Sequence, residues 1–332
     1  MDNPNARKVH KKVTPLMGGV AIFIGFFSFT LYVIFTTKHS FNLPSVGYLL
    51  GASIIVLVGI IDDRFGMNPI LKLVGQALSC GIFIYSNDLL TILGPAYFTV
   101  PLLFLWMVGL MNALNFLDNM DGIITGMSGI LALGIYAVSF ISHAPGMASQ
   151  SMFISLLSLT FAGSVFGFLP YNFNPAKIFL GDAGSMFIGY FLSTAGILVG
   201  RLAVGSMNSN LYYLLPVLLL SFAIFDISLV SFTRKRDGRR VSQGGKDHST
   251  HRIGTAMGST KVTALIVYLI NIIIVLLTIL IFKMESEKLL IVSTIIFAVI
   301  FIFFGKKLDQ IPIIVPDNQL KNNGNGNGNK EQ

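Results

Sequence analysis

NALNFLDNMDGI, residues 112–123, repeats a polar side chain every third residue (Asn112, Asn115, Asp118, Asp121), with Asn119 among them. Apolar runs flank it on both sides, at residues 98–114 and 123–142. Each is close to the ~20 mostly apolar residues that a membrane-spanning helix needs. Outward from this pair, eight further runs read as spans: 18–36, 46–61, 70–86, 151–169, 185–201, 211–232, 262–282 and 287–304. Soluble domains are about 25% charged, whereas this chain of 332 residues is 11% charged and 53% hydrophobic. The expected fold class is an all-α polytopic membrane protein with about ten transmembrane helices. The polar stretch is then a connection between two of them.

Charge gives the chain an orientation. The lead-in MDNPNARKVHKKVTP carries Arg7, Lys8, Lys11 and Lys12 ahead of the first span. Basic residues are retained on the cytoplasmic side, so the N-terminus is expected there. The lead-in lacks the apolar core and cleavage site of a secretory signal. Ten alternating spans place 62–69, 115–122, 170–184, 233–261 and the tail on the same side. With Lys72, these segments hold every Lys and Arg except Lys38, Arg201, Lys283 and Lys288. The net charge of +8 is thus a one-face charge that suits phosphates or anionic headgroups, and no nucleic-acid partner is expected. The domains read as a basic segment 1–17, a membrane domain 18–305 with a large loop 233–261, and a tail 306–332 ending in a low-complexity stretch read as disordered. The single cysteine, Cys80, excludes an intrachain disulfide.

The same alternation gathers the unusual polar residues. GIIDDRFGMNP brings Asp62 and Asp63, the opening stretch Asp118 and Asp121, and PYNFNPAKIFLGDAGS brings Asp182. The loop TRKRDGRRVSQGGKDHSTHRIG adds His248 and His251. Read as an α-helix, the opening stretch puts Asn112, Asn115 and Asn119 on one face and Asp118 one turn from Asp121. Each segment has a plainer reading: Asp as a helix cap, Asn as glue between helices, glycines for close packing, basic residues as a topology signal. Their convergence on one face weighs against all of these. Clustered carboxylates with amides suit a hard divalent cation such as Mg²⁺, often shared with phosphates. Lys and Arg beside them suit phosphate oxygens, so the set describes phosphoryl or diphosphate chemistry. Zinc is disfavoured, because the loops hold no thiolate.

Five of these segments, NPNARKVHKKVTPLMGGVAIF, GIIDDRFGMNP, NALNFLDNMDGI, NFNPAKIFLGDAGS and GGKDHSTHRIG, occur in this order. Over residues 2–305 the chain resembles the polyprenyl-phosphate N-acetylhexosamine-1-phosphate transferases of glycosyltransferase family 4. The branch it resembles transfers N-acetylglucosamine-1-phosphate to undecaprenyl phosphate. The resemblance implies a Mg²⁺-dependent enzyme, with Mn²⁺ as a substitute, in the bacterial inner membrane with a cytoplasmic active site. It implies that Asp62 and Asp63 engage Mg²⁺ or the lipid phosphate, and that Asp182 is a Mg²⁺ ligand. It places Asn112, Asn115, Asp118 and Asp121 in a nucleotide-and-metal loop, with Asp118 also a metal ligand. Lys72 would contact a diphosphate, and Asn172 and Asn174 would bind nucleotide or sugar. His248, His251 and Arg252 match the histidine motif.

Two departures accompany the resemblance. Many members carry a further span ahead of the segment at which this chain begins. The histidine motif here reads His248, Ser249, Thr250, His251, without the triple-histidine run of the muramoyl-pentapeptide branch. That branch is the enzymatic alternative, and a cation transporter the alternative of another class. A transporter's acids would be expected near the bilayer midplane. UDP-N-acetylhexosamine, undecaprenyl phosphate and membrane lipid are the expected partners, and a homodimer stays open.

Overall fold

The computed structural model describes residues 14–36, 42–241 and 245–312. The basic lead-in through Val13 and the low-complexity tail lie outside them. Among the described residues, nine helices are long and apolar enough to cross a membrane. They are α1 (Gly18–Thr36), α2 (Leu43–Phe65), α3 (Pro69–Ser86), α4 (Ala96–Leu117), α5 (Ile123–Ile141), α6 (Ala148–Asn172), α7 (Gly181–Met207), α11 (Thr260–Lys283) and α12 (Glu287–Asp309). The run at 211–232 is not one straight span. A 3₁₀ turn with α8 (Asn210–Leu219) meets α9 (Ser221–Arg236) at a 70° bend. The short helix α10 (Ser249–Met257) follows.

Several helices run past the apolar windows, and they carry polar residues with them. α2 continues through Phe65, so Asp62 and Asp63 sit on its last turn rather than in a loop. α7 starts at Gly181, which places Asp182 in its first turn. α4, by contrast, stops at Leu117, with Asp118 as its C-cap. Asp118 and Asp121 are therefore loop residues, not neighbours one turn apart on a helix. The ends are written in local chemistry. Gly66 closes α2 at φ 68°, Asn68 caps α3 by accepting from Ile70 N–H, and Pro69 occupies its first turn. Proline suits that position because its missing N–H would lack a helical partner anyway.

α7 is the axis of the bundle. Its residues are buried without interruption from Ala183 to Gly200, and it packs against α1, α2, α4, α5 and α6. A helix apolar on all sides belongs inside a bundle. Small residues let its neighbours close on it, as expected between membrane helices. A Cβ on Gly59 would lie 2.3 Å from Ala183 Cα, and one on Gly19 2.1 Å from Gly184 N. Phenylalanines fill the middle of the bundle, with Phe161 and Phe191 stacked at 3.7 Å. The close approaches at Gly19 and Gly59 pin the first turn of α7 beside the end of α2, where the acids gather.

Candidate active site

The first turn of α7 organises the centre. Its opening amides donate to the Asp63 carboxylate, Asp182 N–H to Oδ1 at 2.8 Å and Ala183 N–H to Oδ2 at 3.1 Å. An anion at a helix N-terminus satisfies orphan donors and meets the positive end of the dipole. The Asp182 side chain points elsewhere. Its Oδ2 accepts from Lys72 Nζ at 2.7 Å and its Oδ1 from Asn115 Nδ2 at 2.9 Å, while Asn115 also donates to Ser185 Oγ at 2.8 Å. The same Lys72 ammonium reaches Asp62 Oδ2 at 2.7 Å, and Asp62 Oδ1 accepts from Met67 N–H at 2.7 Å. Residues from α2, α3, α4 and α7 thus meet around one ammonium.

A second group flanks the first. Asp121 Oδ2 accepts from Asn174 Nδ2 and Ala176 N–H, both at 3.0 Å. Asn112 pairs its amide with Gln76, at 3.3 and 3.2 Å in the two directions. Asn172, expected to bind nucleotide or sugar, is buried among hydrogen-bond partners. Its oxygen accepts from Gly122 N–H and Thr125 Oγ, and its Nδ2 donates to Ile178 O.

The third group comes from the large loop. His248 Nδ1 lies 2.7 Å from Asp226 Oδ2, and Asp226 Oδ1 accepts from Ser249 N–H at 2.8 Å and Ser249 Oγ at 2.6 Å. Arg234 grips Asp247 with two nitrogens, Nε at 2.9 Å and Nη2 at 2.6 Å, and Arg239 adds a third bond at 2.8 Å. Burial raises the Asp247 carboxyl, but Arg234 and Arg239 outweigh it and hold the group at about 2. Arg252 is buried like Asn172, and it donates to Asp247 O and Leu308 O. Thr250 Oγ donates to Asn119 Oδ1 at 2.8 Å and so ties α10 to the loop of Asp118 and Asp121.

Two groups have no side-chain hydrogen bond or ion pair among the described residues: the Asp118 carboxylate and the His251 imidazole. Burial, then repulsion from Asp182, Asp63 and Asp121, pushes Asp118 up to about 8. Burial, then the charges of His248 and Lys246, pushes His251 down to about 4. A half-buried carboxylate facing three others, with no partner of its own, fits a hard divalent cation by donor chemistry. Among the described residues, no three His, Cys, Asp or Glu side chains close around a metal-sized point. The cationic position between Asp62 and Asp182 is taken by Lys72.

Asp226 and Gln76 were not expected among the site residues. Asp226 is the one acid of the run 211–232, and Gln76 the one amide of the run 70–86. The available signal was cost: an acid inside a span must have a partner or a function.

Carboxylates, amides and one fixed ammonium at an end of a membrane bundle define a polytopic membrane enzyme built to handle phosphates. Residues 45–200 match the family model described as Glycosyl transferase family 4. A probable undecaprenyl-phosphate N-acetylglucosaminyl 1-phosphate transferase of Bacillus subtilis is 34% identical over 82% of this chain and 74% of its own length. The decaprenyl-phosphate N-acetylglucosaminephosphotransferase of Mycobacterium tuberculosis is 30% identical over 80% of this chain and 72% of its own. An undecaprenyl-phosphate alpha-N-acetylglucosaminyl 1-phosphate transferase of Thermotoga maritima is 29% identical over 76% and 72%. The chain belongs to glycosyltransferase family 4 and is a membrane transferase. The transporter alternative falls with that assignment.

Proposed function

We propose that the protein transfers N-acetylglucosamine-1-phosphate from its UDP-sugar to undecaprenyl phosphate, releasing UMP. The product is the lipid-linked diphosphate sugar, in the first membrane step of cell-envelope polysaccharide synthesis. The observation that carries the reading is the meeting of Asp62, Asp182, Lys72 and Asn115 at one end of the bundle. The names of the relatives support the sugar and the lipid. The positive-inside distribution supports a cytoplasmic site, and the bacterial relatives support a bacterial inner membrane.

A lipid phosphate oxygen attacks the sugar-linked phosphorus. A new phosphoanhydride P–O bond forms, the bond to the UMP phosphate breaks, and UMP leaves with the electron pair. The second pKa of a phosphate monoester is about 6, so the nucleophile is largely ionised near neutral pH. The chain's part is positioning and charge neutralisation. Lys72 is placed to hold a diphosphate oxygen, and Asp63 holds the first turn of α7 in register. His251, largely neutral near pH 7 and without a side-chain partner among the described residues, is free to hydrogen-bond a phosphate or sugar hydroxyl. Asn174 and Asp121 border the nucleotide side, while Asn172 and Arg252 support the loops. Mg²⁺, or Mn²⁺ in its place, would be held by Asp118 and Asp182 and would neutralise diphosphate charge.

The test is an exchange assay with purified protein, undecaprenyl phosphate, Mg²⁺ and a panel of UDP-sugars, following UMP and lipid-linked product. Metal-dependent product from UDP-N-acetylglucosamine is expected. Folded protein that turns over none of the panel would overturn the reading.

A further inference from the structure

α9 carries a carboxylate where a membrane helix should have none. In SFAIFDISLV, residues 221–230, Asp226 lies six residues beyond the bend at Leu220, and it is 1% exposed. Burying a carboxylate is costly unless its oxygens are fully engaged. Both are. Oδ1 takes the backbone N–H and the hydroxyl of Ser249, and Oδ2 takes His248 Nδ1 at 2.7 Å. All three donors lie in the two residues that open α10, where His248 is the N-cap and its carbonyl accepts from Arg252 N–H at 3.0 Å. The histidine is thus fixed at its backbone by the helix and at its ring by Asp226.

The chemistry of the pair is directional. An ionised carboxylate only accepts hydrogen bonds, so the ring nitrogen facing it must carry the proton. His248 is therefore held with a proton on Nδ1. His248 is buried, and its Nε2 is the ring nitrogen left without a hydrogen-bond partner among the described residues. The Thr250–Asn119 bond at 2.8 Å brings this corner beside the loop of Asp118 and Asp121. Ser249 engages only Oδ1; the bond from Oδ2 to the ring is what sets the tautomer, as an acid does behind an imidazole in hydrolytic triads.

We propose that Asp226 is a positioning residue for the transfer reaction. It locks His248 in its Nδ1–H form and leaves Nε2 as an acceptor for a hydroxyl of the donor sugar nucleotide. The proposal rests on the transferase reading above. No proton leaves the pair, because Asp226 stays ionised and only orients and balances the ring.

The variant that tests it is Asp226→Asn. Its amide oxygen keeps both Ser249 bonds, while its NH₂ now faces Nδ1, which must give up its proton to Nε2. Histidine ¹⁵N spectra of the full chain in detergent, with His248 assigned by His248→Gln, should report Nδ1–H in the parent and Nε2–H in Asp226→Asn. Exchange kinetics should show kcat lower by about a hundredfold, the scale of a positioned acid–base or hydrogen-bonding group, with a much smaller change in KM. Asp226→Glu should recover part of the loss, at a melting temperature matching that of Asp226→Asn. An unchanged tautomer in Asp226→Asn, or parental kcat with the tautomer flipped, would overturn the proposal. Should the parent transfer no sugar phosphate at all, the functional reading fails and the spectra still judge the Asp226–His248 pair.

Discussion

At the scale of a residue, Lys72 governs the charge of the site. Its ammonium sits 2.7 Å from Asp62 and from Asp182, so its removal leaves two carboxylates of neighbouring helices facing each other. Lys72→Met should lower transfer by about a hundredfold, the scale of losing one preorganised electrostatic group. Lys72→Arg should retain more activity, although a planar guanidinium does not reproduce a compact ammonium. Initial rates at saturating donor, with thermal melting alongside, check both. Asp62, Asp63, Lys72 and Asp182 were legible in the sequence because charge in so apolar a chain demands an explanation, and Asn115 because it belongs to a regular polar repeat. Asn172 and Arg252 were legible as polar, but not the contacts that bury them. Their partners, Gly122, Thr125 and Ile178 for one and Asp247 and Leu308 for the other, are set by packing that no local pattern encodes. Asp226 was missed because one acid among apolar neighbours does not interrupt a hydropathy window.

At the scale of an element, the entry into α7 is the most constrained turn of the molecule. Gly181 has φ 74°, and a Cβ there would lie 2.7 Å from Asp63 Oδ2. Gly181→Ala should cost about 1–2 kcal/mol for the left-handed backbone alone. It should also push Asp63 off the amides of Asp182 and Ala183. A lower melting temperature together with lost transfer is expected, whereas Gly238→Ala, at φ 68° in open surroundings, should lower melting without touching transfer. Helix interiors were readable from their apolar runs, but helix ends were not. α2 and α7 project beyond the hydrophobic window because hydrogen bonds among Asp63, Asp182 and Asn115 support the extra turns. The bend between α8 and α9 was invisible, since the run at 211–232 keeps its hydropathy through the break.

At the scale of the whole molecule, the reading turns on sidedness. Cys80 is fully buried, so the parent protein should be silent to a membrane-impermeant maleimide. Arg240→Cys in the large loop and Ser149→Cys at the start of α6, both exposed positions, should be labelled from opposite sides of the membrane. Arg240→Cys should react in inverted vesicles and Ser149→Cys in intact spheroplasts. Labelling of both from one side would break the alternation on which the cytoplasmic site depends. The number of spans and the face shared by the acids came from hydropathy and charge alone, because each span must satisfy its backbone internally. The partners at that face came from helix packing, which small residues set in three dimensions.

The central place of α7 also has a consequence for biogenesis. The ribosome delivers α1 to α6 first, and through that interval Asp63 has no helix end to hold and Lys72 has only Asp62 beside it. The seventh helix then packs against five of these and brings Asp182 to the Lys72 ammonium. Packing of α7 and completion of the Asp62–Lys72–Asp182 charge cluster are therefore one event. A nascent chain that ends before Gly181 holds the Lys72–Asp62 pair but leaves Asp63 without the amides of Asp182 and Ala183.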